Sequence, residues 1–247
     1  MATRVVRTFV GGLDEEVLRG GIPAGHVVLV RGATGTMKSS LAYSILYRNA
    51  LQRIPGLYVT FEQSAESLLE HMAHLGFRSD LVPGLLPILD LSTAREEILA
   101  SADRGPTSSV DPGDFGEVFL SMLKERVDHF RHWTNFRLLA IDSLDAAEHI
   151  MQMERRRSRI LAFFEWLRDL RVTSLLISEE PILLGSSTVP DEEVLADGIL
   201  HLSMVPTTAA DFQRRIQCVK MRSANHDSDF RTLLFEDGAF EVARAMA

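Results

Sequence analysis

Nine residues, Gly32 to Ser40 with the sequence GATGTMKSS, carry the clearest chemistry in the chain. They follow the phosphate-binding pattern G-x-x-x-x-G-K-[ST] at Gly32, Lys38 and Ser39, with Met37 where the second glycine belongs. Such a loop works by geometry, because converging backbone N–H groups and the positive end of the next helix meet phosphate oxygens. The expected contact set is Thr34, Gly35, Thr36, Met37, Lys38, Ser39 and Ser40. Lys38 would reach the β- and γ-phosphates, and the Ser39 hydroxyl would ligate Mg²⁺. A glycine at position 37 would spare the loop a side chain and permit φ > 0. Methionine is unbranched, so its side chain can turn aside, and the expectation is a reshaped loop that still holds a nucleotide.

Two carboxylates complete a candidate site. RLLAIDS ends an apolar run in Asp142, which could hold Mg²⁺ through water from a strand end. LYVTFEQSAE sets Glu62 directly after another apolar run, where a carboxylate could orient and deprotonate a water. An acid at that point equally suits the entry of a helix capped by Ser64, and residue type alone leaves both readings open. His71 and His74 share a helix face but have no further ligand at metal spacing, so an amphipathic helix is the reading. Cys218 reads as a small buried apolar residue.

The elements that must position these residues are legible from hydrophobic period. Apolar runs rich in Val, Ile and Leu (HVVLVR, GLYVTF, RLLAIDS, VTSLLIS) read as buried strands of a parallel sheet. Helical period is expected at about Lys38–Leu51, Ser64–Leu75, Gly116–His132 and Met153–Leu170. The Gly-, Pro- and Ser-rich segment 101–114 reads as an exposed loop. After Pro190 shorter alternating runs (DGILHLSMV, RRIQCVKMR, RTLLFED, FEVARA) predict antiparallel strands added to the sheet edge, with ANHDSD as a hairpin turn. The expected class is α/β, a mainly parallel central sheet flanked by helices with antiparallel C-terminal strands, in one domain over 1–247.

Bulk properties narrow the function classes. Apolar residues at 46 % supply a core and charged residues at 24 % a soluble surface. No apolar run approaches a membrane span, and no secretory signal is visible. One cysteine excludes an internal disulfide and a cysteine cage, so a reducing, cytoplasmic setting is expected. A net charge of −8 argues against a surface built for nucleic acid, the Arg155–Arg159 cluster being the local exception. That cluster reads first as a solvated helix start or a subunit contact.

Several separated motifs then agree with one family. GLDEEVLRGGIPAGHVVLVRGATGTMKSS, GLYVTFEQSAESLLEHMAHLGF, LLAIDSL, VTSLLISEE, ADGILHL and VKMRSANHD occur in its order. On these the chain resembles the KaiC-like branch of the RecA-type ATPases over nearly its whole length. The resemblance implies a RecA-like P-loop NTPase fold binding ATP and Mg²⁺. It implies Lys38, Ser39 and Asp142 as the phosphate-loop and metal groups, and Glu62 as the first of two catalytic glutamates, the second being Gln63 here. It gives Glu179 a sensing role at the γ-phosphate. It makes Lys220, Arg222 and His226 fingers that reach a neighbour's nucleotide in a homo-oligomeric ring, usually hexameric. Glu193 and Val194 stand where the clock protein carries its phosphorylated Ser–Thr pair, which argues against clock-type autokinase activity.

The expected function is an ATP-binding, slowly hydrolysing ring protein acting as a nucleotide-dependent switch, with an unidentified protein partner. Two alternatives remain: a pseudo-ATPase scaffold whose nucleotide binding Met37 impairs, and a RadA-like ATPase acting on DNA. The DNA reading has only the arginine cluster and the loop 101–114 to support it.

Overall fold

The computed structural model describes residues 4–94, 96, 115–150, 156–179, 191–208 and 211–244. Strands β1 (Val5–Val6) and β2 (Ile22–Pro23) form a small antiparallel ribbon. The main sheet begins with β3 (Val27–Gly32), followed by α1 (Lys38–Leu51), β4 (Gly56–Thr60), α2 (Ala65–His74) and β5 (Ile88–Asp90). Next come α3 (Phe115–Thr134), β6 (Leu138–Asp142), α4 (Leu144–Ile150), α5 (Arg156–Asp169) and β7 (Thr173–Glu179). The chain then forms α6 (Asp191–Leu195), β8 (Gly198–Pro206), β9 (Phe212–Met221), β10 (Arg231–Glu236) and β11 (Ala239–Arg244).

Among the described residues the main sheet has nine strands, in the order β11-β10-β9-β8-β3-β7-β6-β4-β5. Its pairings from β8 to β5 are parallel, and those from β8 to β11 antiparallel. The expected class is therefore the observed one. The parallel strands read as continuous apolar runs because both faces are covered. Val28, Val30, Tyr58, Leu138, Ala140, Leu175 and Ile177 join one apolar layer, shared with Leu41, Tyr43 and Ile45 of α1. Their alternates Val27, Leu29, Leu57, Val59, Leu139, Ile141 and Leu176 join the other, with Phe119 and Leu123 of α3 and Phe163 and Phe164 of α5. The period of two within each strand divides the core into these layers.

The helices fall close to their expected positions. Helix α1 spans its expected residues, α2 starts after Ser64, whose hydroxyl accepts from Ser67 N at 3.3 Å, and α3 runs slightly longer at both ends. The start expected for α5 at Met153, Arg155 and the loop 101–114 lie outside the described residues.

One expected turn is different. ANHDSD belongs to a connection spanning 222–230, because β9 continues along β8 well past the point where it meets β10. Those two strands pair only at Arg231↔Ile216 and Thr232↔Arg215. The connection docks instead of turning tightly, with Asp227 N on Val17 O at 2.9 Å and Gln217 Nε2 on Ser228 O at 2.8 Å. The tight hairpin is β10–β11, where Asp237 (φ 48°) and Gly238 (φ 73°) both take left-handed backbone. Strands β1, β2 and β5 and helices α4 and α6 are too short to have carried a period.

Candidate functional site

All the parallel strands end at one edge, which gathers Gly32, Thr60, Asp90, Asp142 and Glu179. Strand β3 leads through α1 toward β4 on one side, while β8 lies on its other side. Open α/β sheets place ligands at such a reversal of strand order, outside the carboxyl ends. The phosphate-type loop 32–40 stands there.

The loop is held by internal bonds. Thr36 Oγ1 and Lys38 Nζ both donate to Ala33 O, at 2.8 and 3.0 Å, so the ammonium lies folded into the loop. Gly32 has no alternative, since a Cβ there would meet Leu202 O at 2.1 Å. Gly35 has φ +84°, and nothing lies within 4 Å of where its side chain would begin, leaving open space above the loop. Met37 takes φ 70° and caps α1 without a side-chain hydrogen bond. The first-turn N–H groups of α1 thus receive no cap from the N-cap side chain, unlike those of α2, which Ser64 caps. The half-buried Met37 side chain packs against the apolar layer containing Leu41 and Met72, which supports its left-handed backbone.

A cleft of about 480 Å³ brings Thr34, Lys38, Ser39, Glu62, Asp142 and Glu179 to one place. Asp142 accepts from the buried Tyr58 hydroxyl at 2.6 Å and hydrogen-bonds the Ser39 hydroxyl. Burial pushes its carboxyl above the usual range, opposed by Tyr58, Ser39 and Lys38. Burial also raises Glu62, and the charges of Asp142, Glu179 and Asp145 add to the effect, against a hydrogen bond from Ser143. Glu179 accepts from Thr34 Oγ1 at 3.1 Å, while its own N–H donates to Asp145 Oδ2 at 2.8 Å. Negative charge therefore gathers beside the loop.

These acids are not a metal cage, since among the described residues no group of three His, Cys, Asp or Glu is placed to hold an ion. Ser39 and Asp142 are hard oxygen donors beside an open loop, a donor set that fits Mg²⁺. Tyr58, Ser143, Asp145 and Arg214 were not singled out in the sequence. Arg214 of β9 lines the same cleft, and its Nε is buried without a hydrogen-bond partner. A lone arginine in an alternating strand carries no signal of that position.

Lys220, Arg222 and His226 lie elsewhere. Lys220 pairs with Ile199, at the level of Leu29 in mid-β3, and Arg222 follows the end of β9, its carbonyl bonded to His26 Nε2 at 2.9 Å. They therefore face the amino edge, away from the loop of their own chain. Lys220 comes just past the bulge at Val219, and Arg222 lies two residues later, beyond the end of β9 at Met221. Both side chains donate to Val194 O, at 3.3 and 3.0 Å, and Arg222 also pairs with Asp197 at 3.1 Å. Burial and the neighbouring Arg222 lower the Lys220 pKa. His226 is half-buried in the connection 222–230.

The family model described as "ATPase: KaiC" matches residues 6–245. This chain belongs to the KaiC family. The KaiC-family chain is 32 % identical over 228 residues to the circadian clock oscillator protein KaiC of Picosynechococcus sp., covering 90 % of this chain and 41 % of that protein. It thus spans about two fifths of the clock protein's length. It is 28 % identical to a UPF0273 protein of Aeropyrum pernix, covering 90 % of this chain and 86 % of the relative. The crystal structure of a KaiC-like protein from Pyrococcus horikoshii superposes with a TM-score of 0.77 at 24 % identity, over 98 % of this chain and 99 % of that one. Among the described residues no helix is long and apolar enough to cross a membrane.

Proposed function

We propose that this KaiC-family chain binds Mg·ATP at the loop 32–40 and hydrolyses it slowly, using the bound nucleotide as a conformational switch in the cytoplasm. Lys38 holds the terminal phosphates, and the open end of α1 meets their oxygens. Ser39 and Asp142 would hold Mg²⁺, which when bound would neutralise charge on the β- and γ-phosphates. Glu62 orients the attacking water and takes its proton, a role favoured by a carboxyl pKa raised above its usual value. Glu179 senses the γ-phosphate through the loop it already touches at Thr34.

The observation that carries this reading is a separation. The loop and carboxylates lie at one edge of the sheet, while Lys220 and Arg222 lie toward the other. One chain cannot bring both sets to one nucleotide, whereas a head-to-tail ring of copies can. The working assembly is therefore a homo-oligomeric ring, hexameric by family precedent, with nucleotide at the subunit boundaries and Lys220, Arg222 and His226 supplied by the neighbour. Glu193 and Val194 bear no hydroxyl to accept phosphate, and Glu193 is ion-paired with Arg31. Clock-type autophosphorylation at these positions is thus excluded by chemistry.

Native mass measurement with and without Mg·ATP, combined with a phosphate-release assay, tests the proposal. Nucleotide-dependent assembly with slow release is expected. A chain that stays monomeric and binds no ATP would favour the scaffold reading, in which Met37 disables the loop.

A further inference from the structure

A second cleft lies at the amino edge of the sheet, away from the phosphate loop. It measures about 340 Å³ and is walled by four arginines, Arg4, Arg7, Arg137 and Arg171. Arg7 is engaged: it pairs with Glu15, approaches Asp14 at 3.6 Å, and lies over the Phe9 ring at 5.7 Å. Arg4, Arg137 and Arg171 are exposed, and no acid partners them among the described residues. In a chain of net charge −8, three exposed arginines on one cleft form a local reversal of sign.

The cleft is also apolar. Val5 is 41 % exposed, and Phe9 and Ile54 are each 37 % exposed, all three in its wall. Four consecutive residues, Arg4 to Arg7, line it, so it runs along the edge of β1 and not beneath one face. Among the described residues that edge has free backbone at Val5. Ala24 N donates to Arg4 O at 2.8 Å, so Arg4 is hydrogen-bonded to the ribbon and the next residue is not. Val5 opposes Pro23, which has no N–H, and the Val5 N–H and C=O are therefore directed outward. The outward side is the cleft side, because Arg7 O meets Asn49 Nδ2 there at 2.8 Å and Asn49 is part of the wall.

We infer that this cleft docks a short, extended, acidic segment of another protein. The segment adds to the outer edge of β1 through Val5, seats an apolar side chain against Val5 and Ile54, and directs carboxylates at Arg4, Arg137 and Arg171. Strand addition supplies affinity through the backbone, and the arginine forks select carboxylates. An apolar floor and an open strand edge favour polypeptide over nucleic acid, whose binding depends chiefly on phosphate neutralisation.

The test uses the full chain and a fluorescein-labelled peptide of alternating Glu and Val, followed by anisotropy. The variant combines Arg137→Gln with Arg171→Asn, asparagine being chosen because residue 171 has φ 53° and Asn tolerates left-handed backbone. The acidic peptide should bind with affinity that falls as salt rises, and the double variant should weaken it about tenfold. A Lys–Val peptide should not bind, and N-methylation of the acidic peptide's backbone should abolish binding. Thermal melting and Mg·ATP affinity should match the parent, showing that the variant is folded and the nucleotide site untouched. Absence of acidic-peptide binding at millimolar concentration overturns the inference. So does equal binding by the variant, equal binding of the Lys peptide, or full competition by citrate, which would mark a small-anion site.

Discussion

The Tyr58 hydroxyl donates a 2.6 Å hydrogen bond to Asp142 Oδ2 across 84 residues of sequence, from one buried strand to its neighbour. Tyr58 is fully buried, and the bond holds one Asp142 oxygen in place, while the same hydroxyl also hydrogen-bonds the Ser39 side chain. The phenol thus touches both residues proposed to hold Mg²⁺. Tyr58→Phe keeps the ring in the core and removes the hydroxyl that joins them. Denaturant titration should show a loss of about 1–2 kcal/mol, and the Mg²⁺ midpoint for binding a non-hydrolysable ATP analogue should rise about tenfold. An unchanged Mg²⁺ midpoint would deny Tyr58 any positioning role.

Glu62 predicts a pH dependence of definite sign. Burial and the surrounding acids raise its pKa above 4.5, so the folded chain keeps a proton over a window in which the unfolded chain has lost it. Stability therefore falls as pH rises through that window, and the ionised group is a cost at neutral pH. Without nucleotide and with EDTA, Glu62→Gln should melt above the parent at neutral pH, the gap closing as pH falls toward 4.5. The same variant should keep ATP binding and lose about 10²–10⁴-fold in phosphate release. Unimpaired release would remove Glu62 from catalysis.

Met37 adopts φ 70°, which glycine takes freely and methionine at a cost of about 1–2 kcal/mol. Part of that cost is offset by its packing on the apolar layer around Leu41 and Met72. Met37→Gly should leave the melting temperature nearly unchanged while raising Mg·ATP affinity or turnover. Met37→Ile, β-branched at positive φ, should lower both stability and binding. Calorimetry and phosphate release separate the outcomes, and a glycine variant no better than the parent would show that position 37 does not limit the site.

Subunit sharing of the site can be tested by mixing. A Lys38→Ala chain lacks the phosphate lysine, and a Lys220→Ala/Arg222→Ala chain lacks the donated cations. Each alone should be inactive; mixed before assembly, they should regain part of the parent phosphate release. No recovery from rings shown to contain both chains would mean that the two sets do not serve one nucleotide.

Much of this was legible in the sequence because it is local. The phosphate loop, the strands that end in Gly32, Asp142 and Glu179, and the start of α1 depend on neighbouring residues and on a period of two or 3.6. The positive φ needed at position 37 was readable for the same reason, from the glycine that the pattern lacks. Strand order was not local, and several functional placements followed from it. Only the adjacency of β4 and β6 sets Tyr58 on Asp142, and only β9 running antiparallel to β8 sends Arg214 to the cleft beside the loop 32–40 and Lys220 toward the opposite edge. The docked segment 222–230 replaced a tight turn. The sequence by itself determined which groups could bind phosphate and metal, since that chemistry resides in residue type and short spacing. Tertiary structure decided which of them share an edge, because sheet pairing joins residues whose separation along the chain carries no pattern.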